Sequence, residues 1–359
     1  MSDAPQNPRY CSLKVMPARA LPPTLDPRRA RLIQVLASKW VNGTVLKYCF
    51  VSSARFQMAD GSSRVFEWPL VPAQLQAFRA AIRRWTDLGI GVSLQEVTDR
   101  ATADVRVGFF QGDGSWSYVG RDIRLAAADE LTMNIGWDIT GDIDTAVHEI
   151  GHTLGFPHEH QNPHAGIEWN EEAVYAALAR PPNEWTREQT FHNIIRKIVP
   201  DTVQGSSWDP DSIMHYPFEA GLINRPERYR EGLRPAGDLS PRDIDWVHTF
   251  YPPLSTEGPP VLSPFTSQQL ALAPGEQAAF VLKPGQTRDY EIRTFGTADT
   301  VMVLFERTPS GPVYVAGDDD GGEDRNSRLT LRLIQGREYE LRLRLYFSTE
   351  RGSFAVMYW

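Results

Sequence analysis

The stretch Thr145–His164 reads TAVHEIGHTLGFPHEHQNPH and contains five of the eight histidines in the chain. Its apolar spacing predicts a helix over residues 142–154, with an aspartate at its N-terminal cap. His148 and His152 are then four residues apart and lie one turn from each other on the same helix face. Two imidazoles at this spacing can bind one divalent cation.

The residues around this pair complete a predicted zinc site. Glu149 is turned about 100° around the helix axis from His148, so it can reach a water on the ion without ligating the ion itself. Gly155 can adopt a positive φ and end the helix, and the reversed chain then brings His158 to the ion. Three neutral ligands and one open position are typical of a catalytic zinc site.

The complete pattern H-E-x-x-H-x-x-G-x-x-H is the metzincin signature, whereas a bare H-E-x-x-H arises often by chance. Metzincins also need a methionine turn, and SIMHY at 212–216 supplies one. We expect Met214 to pack beneath the metal as an apolar floor. Taken alone, Met214 would be interpreted as an ordinary core methionine.

These motifs resemble the astacin family of zinc metalloendopeptidases. HEIGHTLGFPHEH is similar to the extended zinc motif of that family, and SIMHY to its Met-turn. The resemblance covers about residues 40–253. It implies that three histidines bind Zn²⁺ and that Glu149 activates a water. It also implies that Tyr216 is a fifth ligand that swings away from the metal and hydrogen-bonds the oxyanion. The three implied zinc ligands are His148, His152 and His158.

The pattern of the chain predicts two domains. Residues 41–253 alternate strands with helices, which favours an α+β catalytic domain of the metzincin type with a mostly antiparallel sheet and an active-site helix. Residues 254–265 are rich in Pro, Ser and Gly and predict a linker. Residues 266–359 contain short strands separated by polar turns, which is typical of an all-β sandwich. This last part resembles the bacterial pre-peptidase C-terminal domain.

An acidic run in the C-terminal domain allows two interpretations. Its carboxylates could bind Ca²⁺ on a tight glycine turn, or the run could be a solvated acidic loop. The candidate calcium ligands are Asp318, Asp319, Asp320 and Asp324.

Residues 1–40 form a proline-rich, net positive arm or pro-segment, with a short helix expected over 25–40. The arm contains Cys11, whose thiolate could fill the open zinc position and cap the site. Two alternatives remain at this stage. Cys11 could form a disulfide with Cys49, or it could be a free buried thiol.

The bulk properties narrow the function. A net charge of −8 argues against nucleic-acid binding. No apolar run reaches the roughly 20 residues of a membrane span, and no signal peptide is visible, although the resemblance implies a secreted or extracellular protein. We therefore predict a monomeric zinc endopeptidase that hydrolyses internal peptide bonds of protein or peptide substrates through a metal-activated water. The alternative is a non-catalytic zinc-containing adhesion protein in which the β-sandwich is the working module.

Overall fold

The structure is a computed structural model that describes residues 8–13, 40, 42–58, 61–198, 207–254 and 258–359. The chain divides into two compact units. The first contains residues 46–88 and 94–244 with the described part of the N-terminal segment, and the second contains residues 245–359 with 41–45 and 89–93. The helix expected over 25–40 lies outside the described residues, apart from its last position. Among the described residues, no helix combines the length and the apolar character that crossing a bilayer requires.

The first unit mixes strands and helices along the chain. Its strands are β1 (Val45–Phe50), β2 (Ser53–Gln57), β3 (Ser63–Glu67), β4 (Ser93–Glu96), β5 (Val105–Gly108), β6 (Trp116–Ser117), β7 (Met133–Asn134), β8 (Glu168–Trp169) and β9 (Ile223–Arg225). Its helices are α1 (Pro72–Thr86), α2 (Asp144–Thr153), α3 (Glu171–Leu178) and α4 (Arg187–Thr190), and α5 (Pro241–Phe250) begins in it. The predicted α+β class of this unit is confirmed.

The main sheet differs in one detail from the sequence prediction. Its strand order is β4-β1-β5-β7-β6, and the β1–β5 and β5–β7 pairs are parallel, while β6–β7 is antiparallel. The expectation of a mostly antiparallel sheet was therefore wrong. The physical reason is the path of the chain: both α1 and β4 lie between β1 and β5, so the chain crosses over and re-enters the sheet in the same direction. Every residue of β5 is buried, as is usual for a parallel strand covered on both faces.

Helix α1 braces the helix that carries the histidine pair. Its buried stripe includes Phe78, Ile82 and Trp85, as the apolar spacing predicts. The Trp85 indole Nε1 donates to the carbonyl of Val147 in α2 at 2.9 Å, and its ring stacks on Phe156 with an interplanar angle of 11°. The buried Trp85 side chain thus contacts both α2 and the chain just after it.

The second unit is the predicted all-β sandwich. One sheet has the order β10-β17-β12-β15 and the other β11-β16-β13-β14, and the pairings within both are antiparallel. The strands are β10 (Gln268–Leu272), β11 (Gln277–Leu282), β12 (Arg288–Gly296), β13 (Thr300–Thr308), β14 (Gly311–Asp318), β15 (Arg328–Leu333), β16 (Tyr339–Leu345) and β17 (Gly352–Tyr358). The sequence pattern missed β10 and β14. Both are edge strands, where burial on one side is weaker and apolar alternation is less regular.

Candidate metal centre

Helix α2 presents the histidine pair as the sequence pattern predicts, although it starts slightly later. Ile143 is the N-terminal cap residue, while the carboxylate of Asp142 accepts a hydrogen bond from the backbone N–H of Asp144 at 2.9 Å. Gly155 follows the helix with φ of 95°, a left-handed conformation that most side chains resist. The chain turns back at this point and reaches His158.

The three histidines converge on one point. The Nε2 atoms of His152 and His158 are 3.1 Å apart, and the rings of His148 and His152 have centroids 4.7 Å apart. The thiol of Cys11 joins this group, because its Sγ lies 3.3 Å, 3.6 Å and 3.1 Å from the Nε2 atoms of His148, His152 and His158. All four ligand atoms lie within 4.8 Å of one another.

These spacings fit a tetrahedral zinc ion. With Zn–N bonds of about 2.0–2.1 Å and a Zn–S bond of about 2.3 Å, tetrahedral geometry places two nitrogens about 3.3 Å apart and a nitrogen and a sulfur about 3.6 Å apart. The N–N separation of His152 and His158 and the three N–S separations are close to these values. The donor set of three imidazoles and one thiol is also one that zinc prefers.

Hydrogen bonds fix the orientation of two of the imidazole rings. The Nδ1–H of His148 donates to the carbonyl of Ile213 at 2.7 Å, and the Nδ1–H of His152 donates to the carbonyl of Phe156 at 2.7 Å. Both rings therefore point an Nε2 lone pair at the shared centre. Burial lowers the pKa of His148 to about 4 and that of His152 well below its usual value, so both are neutral, as metal ligands must be.

Glu149 lies beside the cluster as a fully buried carboxylate. Neither of its oxygens has a geometrically defined hydrogen bond with a described residue. Burial raises its pKa well above the usual range, and the neighbouring Cys11 thiol opposes that shift. A buried carboxylate with so little hydrogen bonding is costly, which is the arrangement expected of a group that handles a proton from water or substrate.

The Met-turn lies directly beneath α2. Met214 is buried, and its thioether approaches Gly151 so closely that a Cβ at position 151 would collide with it and come within 3.2 Å of Trp85. The carbonyl of Met214 accepts the backbone N–H of Glu159 at 2.9 Å. The turn is therefore joined to the metal-binding stretch by packing and by a hydrogen bond.

A carboxylate from α5 holds the Met-turn in place. Asp243 accepts the hydroxyl of Ser212 at 2.6 Å, the N–H of Ile213 at 2.8 Å and the N–H of Ser240 at 2.9 Å. Since the carbonyl of Ile213 in turn accepts a hydrogen bond from the His148 ring, Asp243 is linked to the metal centre through one residue. Sequence reasoning missed Asp243, and its only signal was the segment LSPRDIDWVHTFYP, which resembles the astacin family weakly.

Tyr216 is brought to the cluster, as the Met-turn motif suggests. Its hydroxyl is 2.6 Å from His158 Nε2 and 2.9 Å from Cys11 Sγ, and it donates to the carbonyl oxygen of Cys11 at 2.6 Å.

Cys11 and Cys49 are both free and buried, so the disulfide alternative is absent from the structure.

Glu159 is half-buried and accepts hydrogen bonds from two described residues. Its carboxylate accepts the side-chain amide of Asn162 at 2.9 Å and the backbone N–H of Asp209 at 3.0 Å. Burial is the main cause that raises its pKa to about 7.

The acidic run of the second unit does not assemble a metal site. The carboxylate of Asp318 accepts the backbone N–H groups of Gly321 at 2.8 Å and Arg328 at 2.7 Å, so it stabilises its own turn. Within the described parts of the chain, the group with metal-ligand spacing is the cluster of Cys11 and three histidines. Calcium binding by Asp318, Asp319, Asp320 and Asp324 is therefore not supported.

Comparison with known proteins agrees with this geometry. The sequence profile of the Astacin peptidase family matches residues 65–225. Residues 65–225 form an astacin domain. The domain includes α2, the three histidines and the Met-turn, and it begins after the described arm residues 8–13.

Two animal proteins are similar to the astacin domain. Blastula protease 10 of Paracentrotus lividus is 29% identical over 150 residues, covering 40% of this chain and 23% of its own length. Bone morphogenetic protein 1 of Xenopus laevis is 31% identical over 146 residues, covering 40% of this chain and 18% of its own length. The chain thus spans less than a quarter of the length of either relative.

A solved structure, that of myroilysin, is also similar to this chain. It has a TM-score of 0.51 and 29% sequence identity, and the match covers 61% of this chain and 97% of that one. The similarity therefore extends well beyond the zinc motif. The likeness of the second unit to a pre-peptidase C-terminal domain stays a prediction.

Proposed function

We propose that the chain is a zinc-dependent endopeptidase that hydrolyses internal peptide bonds of proteins. The observation that carries the proposal is the convergence of three neutral imidazoles beside the buried carboxylate of Glu149, inside an astacin domain. His148, His152 and His158 would hold the ion.

The residues of the site have separate roles in this proposal. Bound zinc supplies a Lewis acid that polarises the scissile carbonyl and makes a water molecule more acidic. Glu149 takes a proton from the attacking water and returns it to the leaving amine. The Tyr216 hydroxyl donates a hydrogen bond to the carbonyl oxygen as negative charge develops there. The hydrogen bond that the Tyr216 hydroxyl donates to the peptide carbonyl of Cys11 is consistent with that role.

The direct test is Glu149→Gln in the full chain that also carries Cys11→Ala, so that capping by Cys11 does not suppress cleavage. Glu149→Gln should bind zinc as the Cys11→Ala chain does, because Glu149 is not a ligand, but it should lose the chelator-sensitive cleavage of casein or gelatin that the Cys11→Ala chain shows. Full cleavage by Glu149→Gln would refute the role. The adhesion alternative predicts no chelator-sensitive cleavage by the unchanged chain under any condition, and no observation of the second unit favours it.

We further propose that Cys11 holds the chain latent as the fourth zinc ligand. The support is the position of its Sγ, 3.1–3.6 Å from three ligand nitrogens in a pocket where the residue is only 5% exposed. Burial is the main cause that raises the pKa of the Cys11 thiol, so without a metal the protonated form is favoured. A bound divalent cation favours the thiolate instead.

Cys11→Ala should raise the basal proteolytic rate of the full chain, because the capped position becomes open. Cys49→Ala is the matched control, since Cys49 is also a free buried thiol but lies in β1. An unchanged rate in Cys11→Ala with zinc bound would rule out the capping role.

Secretion, a monomeric state and a docking or stabilising role for the second unit are also proposals. They are supported by the family resemblance and by the sandwich fold. Fractionation of the producing culture and light scattering of the purified chain test the first two.

A further inference from the structure

A six-residue segment of the arm, Pro8–Leu13, lies across the metal centre as a peptide without regular secondary structure. One side chain, Asn183, holds its N-terminal half. The Asn183 Oδ1 accepts the backbone N–H of Tyr10 at 3.1 Å, and its Nδ2 donates to the carbonyl of Pro8 at 3.0 Å. The Asn183 amide thus forms hydrogen bonds with two main-chain groups of the segment, and these bonds do not depend on the segment's side chains.

The C-terminal half of the segment is held in the same way. The backbone N–H of Ser12 donates to the carbonyl of Ser115 at 3.1 Å, and the backbone N–H of Leu13 donates to Asn193 Oδ1 at 2.8 Å. Since these contacts involve only main-chain groups of the segment, any peptide with free N–H and C=O groups at these positions could make them.

Between the two halves, the peptide carbonyl of Cys11 accepts the Tyr216 hydroxyl at 2.6 Å. Tyr216 is the residue proposed to meet the carbonyl of a substrate. The segment therefore places a peptide group where a substrate is expected, and its neighbouring side chains mark candidate substrate subsites.

The side chain of Tyr10 fills a well-defined pocket, which we name the Tyr10 pocket. Its walls are Trp185, Tyr216 and Phe218, with ring centroids 6.2 Å, 5.0 Å and 5.9 Å from that of Tyr10. At its end the Tyr10 hydroxyl donates to the carbonyl of Pro217 at 2.9 Å. Tyr10 is 4% exposed, so the pocket encloses the ring almost completely.

We propose that the Tyr10 pocket is a specificity pocket of the enzyme and selects a tyrosine side chain next to the position that Cys11 occupies. The proposal rests on the proposed endopeptidase function for its biological meaning. Aromatic walls favour a planar ring over an aliphatic side chain. The carbonyl of Pro217 favours tyrosine over phenylalanine by about 2- to 10-fold, the factor that one neutral hydrogen bond contributes.

Binding is measured first, in the full chain with Tyr10→Ala and Cys11→Ala, in which the pocket has lost its own side chain. The arm keeps its main-chain contacts and competes equally with every peptide, so the test is the order of the affinities, measured at peptide concentrations high enough to displace the arm. The probes are fluorescein-labelled hexapeptides Pro-Arg-X-Ser-Ser-Leu, where X is Tyr, Phe, Leu or Ala. The expected order of affinity is Tyr, Phe, Leu, Ala. Equal affinities, or no binding by any of the peptides, would overturn the proposal.

Trp185→Leu, added to the same chain, should reduce the preference for Tyr over Ala by about 2- to 10-fold, the factor that one aromatic pair contributes. Trp185 is half-buried, so the substitution is compatible with folding. The matched control is Tyr229→Leu, because Tyr229 is a half-buried aromatic residue of the same cluster whose ring packs edge-on against Trp208 rather than against Tyr10. An equal loss of the preference for Tyr over Ala in both variants would show that Trp185 is not a wall of the Tyr10 pocket.

Cleavage is measured second, as the pattern of peptides released from a mixed proteome by the same full chain with Tyr10→Ala and Cys11→Ala, in which the pocket is open to a substrate side chain. Tyrosine should be enriched at a single position flanking the scissile bond, and a flat profile would overturn the proposal. If no peptide is cleaved although the hexapeptides bind with tyrosine selectivity, the pocket is supported and the proposed endopeptidase function fails. The two measurements therefore separate the two claims.

Discussion

Replacing Asp243 by alanine tests how the metal centre is supported from outside. The carboxylate accepts three hydrogen bonds, from the Ser212 hydroxyl and from the N–H groups of Ile213 and Ser240. Asp243→Ala leaves these buried donors without their acceptor, at about 1–3 kcal/mol each. Burial raises the pKa of Asp243, so the carboxylate also carries a desolvation cost that the substitution removes. We therefore take the low end and expect a loss of about 3 kcal/mol in the free energy of unfolding.

The same substitution should weaken zinc binding. The displaced Ile213 carbonyl no longer orients the His148 ring, and loss of such an outer partner costs about 10- to 100-fold in metal affinity. Urea unfolding measures the free energy of unfolding, in the transition that shifts when zinc is added. Competition with a chromogenic chelator measures the zinc affinity.

Asp245→Ala is the control, because Asp245 is exposed on the same helix. It should change the free energy of unfolding by less than about 0.5 kcal/mol. If Asp243→Ala behaves like this control in both assays, the support attributed to the carboxylate does not exist.

Other predictions follow from the same geometry. Glu149→Gln should lower kcat/KM on a quenched peptide by about 10²- to 10⁴-fold while zinc stoichiometry by elemental analysis stays at one, and loss of the metal would contradict the assigned role. His158→Ala should lose tight zinc binding in the same analysis, since one of three imidazoles is removed. Gly151→Ala should lower the thermal midpoint of the first unit, because the new Cβ displaces Met214; an unchanged midpoint would show that the thioether moves freely. Removing zinc with a chelator should lower the stability of that unit by about 2.7 kcal/mol relative to zinc at 100 times its Kd, and the shift should disappear in His158→Ala.

The histidine cluster could be predicted from the sequence because its geometry is local. His148 and His152 share a face by helical periodicity, and the turn to His158 depends on one glycine whose φ of 95° suits that residue type. The Met-turn could be placed only through its motif, since Met214 lies far along the chain from the helix beneath which it packs.

The arm could be predicted only in part. Cys11 is 137 residues from His148 in the chain, and no periodic pattern links positions so distant. The chemistry of a thiol and an open zinc position suggested the pairing. Nothing in the sequence indicated that Asn183 would bracket the backbone around Tyr10, because a single asparagine in a proline-rich loop carries no distinguishing signal.

The main sheet illustrates a different limit. Strand positions follow from alternation, but strand direction depends on the path of the connection, and the expectation of a mostly antiparallel sheet ignored the helix between β1 and β5. In the second unit, the missed edge strands β10 and β14 show that alternation fades where one side of a strand faces solvent.

The close approach of Met214 to Gly151 has a consequence for chemical damage. Oxidation of a thioether to a sulfoxide adds a polar oxygen and a new stereocentre, and the contact with the helix backbone has no room for either. An oxidant such as hypochlorite can reach this sulfur only when the fold opens locally, since the residue is 3% exposed. Tolerance of bleach or peroxide would then be governed by how often the floor of the site opens, and repair by a sulfoxide reductase would need the same opening.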